Sequence, residues 1–213
     1  MDSKLDKLRD VILPTLKCIH CDGTDLRLPS DESLHCAGCG AGYRVHQGIP
    51  IMLKDPERAL EFSEDVTAGN RYSGQWLDII REAGDGLVLD FGSGNNADSF
   101  DNVVMMDVFA FPFVDVVGEG ERLPFRDGCF GAVISGAVFE HVQDPFLCAR
   151  NLHKAMKSGG RIYIETAFLQ PYHAYPHHYF NMTTRGVSKV FEAFQMDEVG
   201  VRLWQGPLFT LSW

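Results

Sequence analysis

The chain has 213 residues, 45% hydrophobic and 23% charged, with a formal net charge of -10. That length suits one medium domain plus a small one, and the composition is that of an ordinary soluble globular chain. The acidic balance argues against a broad basic surface for nucleic acid, and no apolar run is long enough to span a bilayer, so no membrane role is expected.

The first ten residues are charged and carry no apolar signal segment, so the expected compartment is the cytoplasm. In that reducing setting the 6 cysteines read as metal ligands or free thiols rather than disulfides. Leu5, Leu8, Val11 and Ile12 recur at near-helical spacing, and Pro14 ends that segment. Two pairs follow, Cys18-x-x-Cys21 and Cys36-x-x-Cys39. A two-residue gap lets one tight turn present two thiolates to the same ion, and two such pairs complete a tetrahedral zinc site. Four thiolates make the adjacent His20 and His35 unnecessary as ligands. So small a module buries little core of its own, so the zinc is expected to be structural. Tyr43 to Leu53 alternates and turns like a hairpin.

Residues 16–53 resemble the small zinc-ribbon proteins that partner and activate methyltransferases. They are also similar to the zinc-bearing amino termini of some ribosomal RNA guanine methyltransferases. The resemblance implies an accessory module and a possible protein partner through the ribbon. Acids and bases are balanced across this part of the chain, without a basic stripe for a phosphate backbone.

The segment 54–70 is acidic and irregular and reads as a linker. Gln75 to Ala83 carries Trp76, Leu77, Ile79 and Ile80, which predicts a helix packed on a sheet and stopped by Gly84-Asp85-Gly86. Leu87 to Phe91 is an apolar run broken only by Asp90, the pattern of a buried parallel strand. Gly92 and Gly94 follow, where the backbone can turn tightly and approach a ligand. Asn96 stands where a third glycine might be expected, and asparagine tolerates a left-handed conformation. Val103 to Asp107 is a second strand ending in an acid, and an acid there can hold the two hydroxyls of a ribose. Asp115 to Val117 is a third strand, followed by the acidic turn at Glu119 and Glu121.

These blocks are followed by Leu123-Pro-Phe-Arg-Asp-Gly-Cys-Phe130, Ala132-Val-Ile-Ser135, Phe139-Glu-His-Val142 and Lys157-Ser-Gly-Gly160. From about Gly86 to Phe168 the succession resembles the class I S-adenosylmethionine-dependent methyltransferases of type 11. The resemblance implies an α/β, Rossmann-like sheet over residues 71–213, behind a helix and zinc ribbon over residues 1–53. It implies that Asp90, Gly92 and Gly94 face the methionine part of the cofactor. Asp107 would hold the ribose, Glu119 would lie by the adenine, and Ser135 would complete the cofactor set.

Two positions depart from the family. Asp107 follows Gly94 by 13 residues, where a Rossmann-like unit spaces its acid about 20 residues beyond the glycine loop. Residues 95–102 are rich in Asn, Asp and Ser, which are poor helix formers, so the first crossover helix is expected to shrink to a loop or one turn. Gly131 stands where the family usually carries an acid.

Phe130 to Ser135 is a fourth strand, and Glu140-His141 follows in a loop that often faces substrate in this family. His141 reads either as a loop-fixing hydrogen bonder or as a catalytic group. Asp144-Pro145 opens a helix to Lys157, with Phe146, Leu147, Leu152 and Met156 expected inward, and Arg161 to Phe168 is a fifth strand. The loop from Gln170 to Phe180 carries His173, His177, His178 and three tyrosines. Three readings stand for it: aromatic packing or substrate recognition, acid–base catalysis by His173 and His178 with His141, or a metal site of His173, His177 and His178. The loop resembles a Pro-, His- and Tyr-rich segment of methyltransferases from glycan and small-molecule pathways, which points to a sugar or polar metabolite. Thr183-Thr184 caps a helix to Phe194, and Glu198–Trp204 and Leu208–Trp213 are expected as the last strands. The leading functional expectation is methyl transfer to a small-molecule or sugar-type acceptor. RNA methylation, protein methylation and a non-catalytic binding scaffold are the alternatives.

Overall fold

The computed structural model describes residues 4–61, 71–173 and 177–200. The chain enters through α1 (Lys4–Lys7), which continues as wound turns to Thr15 and buries Leu8 and Ile12. Four antiparallel strands follow in chain order: β1 (Leu26–Ser30), β2 (Ser33–Cys36), β3 (Gly42–His46) and β4 (Ile49–Pro50). The expected hairpin is β3–β4. Gln47 and Gly48 turn it with φ of 50° and 81°, the positive values that a tight two-residue turn demands.

The second sheet holds five parallel strands: β5 (Val88–Phe91), β6 (Val103–Asp107), β7 (Val116–Val117), β8 (Phe130–Gly136) and β9 (Met156–Glu165). Their order is β7-β6-β5-β8-β9, so the direction of winding reverses between β5 and β8. α2 (Gln75–Glu82) covers one face, where Ile79 and Ile80 pack with Val88, Val103, Met105 and Ile134. α3 (Pro145–Ala155) covers the other, burying Cys148, Ala149, Leu152 and Ala155 beside Leu89 and Phe91. Asp144 caps α3 by accepting from the Leu147 amide, as Asp-Pro predicts. α4 (Thr184–Val190) is capped in the same way by Thr183.

The ribbon and the large sheet share one core. Leu8, Ile12, Leu16, Cys18, Leu34 and Tyr43 belong to the same buried cluster as Val104, Val116, Phe125 and Phe130. Backbone bonds cross between them: Lys17 N–H donates to Pro124 O, and Met52 N–H donates to Val117 O, both at 2.8 Å. Ile51 thus runs parallel to Val117 and covers the edge of β7, which would otherwise present unpaired backbone groups. Lys7 Nζ reaches Asp115 at 2.7 Å, and Arg126 donates to the carbonyls of Leu16 and Thr24.

The first crossover contains no helix at all. From Gly92 to Asn102 the chain is a loop, and its short polar side chains hold it. Asn102 donates from Nδ2 to the carbonyls of Ile80, Gly84 and Gly86, tying off α2. Asp98 accepts from the Tyr72 amide, and Asn96 Oδ1 accepts from the Asp98 amide. Asn96 does not take the left-handed conformation expected of it; its carboxamide is buried and builds a turn instead. Three other expectations change. Phe146 points outward at 42% exposure, because Cys148, Ala149 and Leu152 form the inner stripe. α3 ends at Ala155, since β9 already begins at Met156. Residues 198–200 are not in a strand, and the rest of the last two expected strands lies outside the described residues.

Candidate active site and metal centre

A cleft of about 630 Å³ opens where β5, β6 and β8 end. Open parallel sheets bind ligands at this position, outside the carboxyl ends of the strands where their order reverses. Asp90, Gly92 and Gly94 enter it from β5, Asp107 from β6, Glu119 from beyond β7, and Val138 and His141 from beyond β8. Of the anticipated cofactor set, Ser135 alone does not line the cleft; it is fully buried on β8, and its Oγ has no partner among the described residues.

Asp90 is 3% exposed and accepts a 2.6 Å hydrogen bond from the Tyr72 hydroxyl. Burial pushes its carboxyl up to about 7; the Tyr72 bond opposes this and the neighbouring Asp107 charge adds to it. Burial also lifts Asp107 to about 6, against three backbone amides that favour its charge. Two of those bonds tie down the surrounding loops: Asp107 Oδ2 accepts from Gly94 N–H at 2.9 Å and Oδ1 from Phe109 N–H at 3.1 Å. The acid that replaces the missing crossover helix as an anchor is therefore the strand-end acid itself. Gly92 has φ of 78°, and an added Cβ would sit 2.2 Å from Val138 Cγ2. Glycine is required there by the neighbouring chain as much as by any ligand.

Some contacts at the site carried no legible signal in the sequence. Tyr72 follows the irregular linker and does not line the cleft itself; only the fold brings its hydroxyl to Asp90. Trp76 packs so closely over Gly136 that a Cβ there would meet its ring at 2.4 Å, closing one end of the cleft. Ala137 holds φ of 57° at the β8 end, a conformation unusual for a residue with a side chain.

His141 lines the cleft as well. Its Nδ1 lies 2.6 Å from the His177 carbonyl, and burial lowers its pKa although that bond opposes the shift. An imidazole so placed donates Nδ1–H and presents Nε2 as a lone pair. His173 and His178 do not line the cleft; they pack behind His141, with ring centroids at 5.1 and 6.0 Å. The expected trio of His173, His177 and His178 does not converge on one point. The structure gathers Glu140, His141 and His173 instead, with one ligand atom from each within 4.8 Å of the others.

The four ribbon cysteines converge as well. Cys18 and Cys39 Sγ are 3.6 Å apart, and Cys21 and Cys36 Sγ are 3.7 Å apart. Four thiolates bound tetrahedrally at about 2.3 Å lie about 3.8 Å from one another, so the cluster already has the dimensions of a zinc site. Burial works against ionising Cys18, but donors from Tyr43, His20 and Cys21 outweigh it and pull its thiol down to about 6. Gly23 keeps the turn open, since a Cβ there would sit 3.1 Å from Cys21 Sγ.

The family model described as a methyltransferase domain matches residues 35–164. A UPF0434 protein of Methylobacillus flagellatus is 35% identical over 66 residues, covering 31% of this chain and 98% of that protein. Among solved structures, a Bacillus halodurans protein described as a methyltransferase is 18% identical, with a TM-score of 0.43 over 55% of this chain and 66% of that one. Haemonchus contortus phosphoethanolamine N-methyltransferase 2 bound to S-adenosyl-L-methionine is 15% identical, with a TM-score of 0.42 over 55% of this chain and 35% of that one. A complex of the Haloferax volcanii Trm112 methyltransferase activator with a methyltransferase gives 16% identity and a TM-score of 0.41, over 51% and 60%. The chain spans two thirds or less of each of these three structures.

Proposed function

Because the chain belongs to the methyltransferase domain family and carries a stretch related to UPF0434, we propose that it methylates a small polar or sugar-type acceptor. S-adenosylmethionine is the methyl donor of this family, and bound in the cleft it supplies an electrophilic methyl carbon on a sulfonium centre. The observation that carries the reading is the acidic lining of a cleft of small-molecule size. Asp90, Asp107, Glu119, Glu121 and Asp144 line it, against Arg58 and Arg122. Such a field attracts a cationic donor and repels a phosphate backbone.

The residues present fit the donor. Beyond the backbone amides of Gly94, Phe109 and Val108, the Asp107 carboxylate retains acceptor capacity that a ribose hydroxyl can use. Asp90 lies beside it, deeper in the cleft, where ionisation is costly until a cation arrives. Glu119 also lines the cleft, and its carboxylate lies 3.6 Å from Arg122. Trp76 and Val138 wall off water, and His141 offers a lone pair that orients the acceptor. Such a transfer depends mainly on alignment and exclusion of water, which rigid strand ends provide.

The four cysteines hold a structural zinc in this reading. The ribbon's partner is then the chain's own sheet, whose β7 edge it covers. No helix among the described residues is long and apolar enough to cross a membrane.

Calorimetric titration with S-adenosylhomocysteine tests the donor site, and radiolabelled methyl transfer to sugars, polyols and bulk RNA tests the acceptor class. Saturable binding with transfer to a small hydroxylated acceptor is expected. Folded protein that binds neither donor form at millimolar concentration would overturn the enzyme reading. Salt-sensitive, submicromolar RNA binding would overturn the small-molecule preference.

A further inference from the structure

We infer that Glu140, His141 and His173 form a second metal site, for a divalent transition ion, behind the stretch of the cleft wall that His141 lines. The starting observation is Glu140. Its side chain is 1% exposed, and Oε1 has no hydrogen-bond partner among the described residues. A buried carboxylate oxygen left without a partner is costly, and native structures pair such atoms or give them to a metal.

The other carboxylate oxygen is fixed: Thr166 Oγ1 donates to Oε2 at 3.0 Å. The backbone is fixed too, since Glu140 O accepts from the amides of Tyr179 and Phe180 at 2.7 and 3.2 Å. Oε1 is therefore held in place, 4.0 Å from His173 Nε2.

Both imidazoles are oriented as metal-binding histidines are. His141 Nδ1 lies 2.6 Å from the His177 carbonyl, and His173 Nδ1 lies 3.0 Å from the Pro171 carbonyl. Each ring can thus donate Nδ1–H to a backbone carbonyl, which fixes the tautomer and leaves Nε2 as a lone pair. That outer hydrogen bond is the usual support of a metal-bound imidazole. His178 differs. Its Nδ1 accepts from the His173 amide at 3.2 Å and its Nε2 lies 3.0 Å from the Phe180 carbonyl, so both nitrogens are occupied. It braces the site and is not a ligand.

The three ligand atoms lie within 4.8 Å of one another. An ion bound at about 2.1 Å holds its ligands about 3.4 Å apart, so loading draws these three closer together. Two nitrogens and one carboxylate oxygen suit Mn²⁺, Fe²⁺, Co²⁺ or Zn²⁺, and one oxygen donor is too few for Ca²⁺ or Mg²⁺. Three protein ligands leave coordination positions open. His141 lines the cleft, so those positions face the acceptor, where an acceptor oxygen can become a ligand. With the ion bound, the His141 lone pair goes to the metal, and the ion rather than the imidazole orients that oxygen.

The test is Mn²⁺ binding by the full chain with its ribbon zinc in place, read as loss of the free-ion electron paramagnetic resonance signal. Manganese avoids thiolates, so the ribbon does not compete. One ion per chain is expected, bound about a hundredfold more weakly in both Glu140→Gln and His173→Ala. Glu140→Gln keeps size and shape, and retained ribbon zinc with an unchanged melt shows that each variant is folded. Absence of Mn²⁺ and Co²⁺ binding at millimolar concentration, or binding undiminished in the two folded variants, would overturn the site. Donor binding is read separately by calorimetry, so a failed metal site leaves the methyl-donor reading standing.

Discussion

Asp90→Asn should make the protein more stable and less able to bind its methyl donor, and the gain should grow with pH. Asp90 is buried, and its carboxyl is pushed up to about 7 in the folded chain, against about 3.9 in an unfolded one. Between those values the folded state keeps a proton that the unfolded chain has released. The folded state binds more protons there, so stability from this group falls as pH rises and levels off above the folded value. The full gap corresponds to about 4 kcal/mol, of which roughly a third is already lost by pH 5. Asparagine cannot ionise, yet its side-chain oxygen can still accept from the Tyr72 hydroxyl. The stability of Asp90→Asn relative to wild type should therefore rise by about 2–3 kcal/mol between pH 5 and pH 8. Urea denaturation of both proteins at the two pH values measures this, and effects common to both, such as zinc loss in acid, cancel in the difference. Calorimetry with S-adenosylhomocysteine on the same samples should show weakened binding. A stability difference that does not change with pH, or a variant less stable than wild type at pH 8, would refute the reasoning.

Asp107→Ala should weaken donor binding about ten- to hundredfold, because charge-assisted bonds to ribose hydroxyls contribute about 1.5–3 kcal/mol; calorimetry checks it. The Gly94 loop should loosen as well, read as faster amide exchange, since Asp107 holds that amide. Cys18→Ser with Cys36→Ser should abolish zinc binding by elemental analysis, whereas Cys129→Ala should leave it intact. The double variant should also lower the melting temperature of the sheet, because ribbon and sheet share one buried cluster. Lys7→Ala should destabilise the chain by about 2–3 kcal/mol, since it leaves the buried Asp115 carboxylate without its ion pair, with the Met105 amide and the nearby Lys4 remaining. Denaturant titration measures that loss, and Lys7→Ala with Asp115→Asn should recover part of it.

The sequence by itself determined the local features. Cysteine spacing gave the ribbon cluster, because two Cys-x-x-Cys turns constrain four thiols through short-range geometry. Alternation and apolar runs gave β3–β4, β5, β6 and β8, and Asp144-Pro145 gave the start of α3, since a cap is a contact within one turn. The short interval between Gly94 and Asp107, filled with Asn, Asp and Ser, announced a crossover reduced to a loop or one turn, and the structure makes it a loop. Only the tertiary structure decided the rest. Tyr72 on Asp90, Trp76 over Gly136 and Thr166 on Glu140 are contacts between elements far apart in sequence, and no spacing rule announces them. The same holds for the histidine loop: three histidines were visible there, but only His173 gathers with Glu140 and His141 of another loop, while local hydrogen bonds occupy both nitrogens of His178. That the ribbon covers the β7 edge was equally invisible, because the match between Ile51 and Val117 exists only once both have folded. Periodicity reports which face of an element is buried; what that face meets is set by how the elements pack.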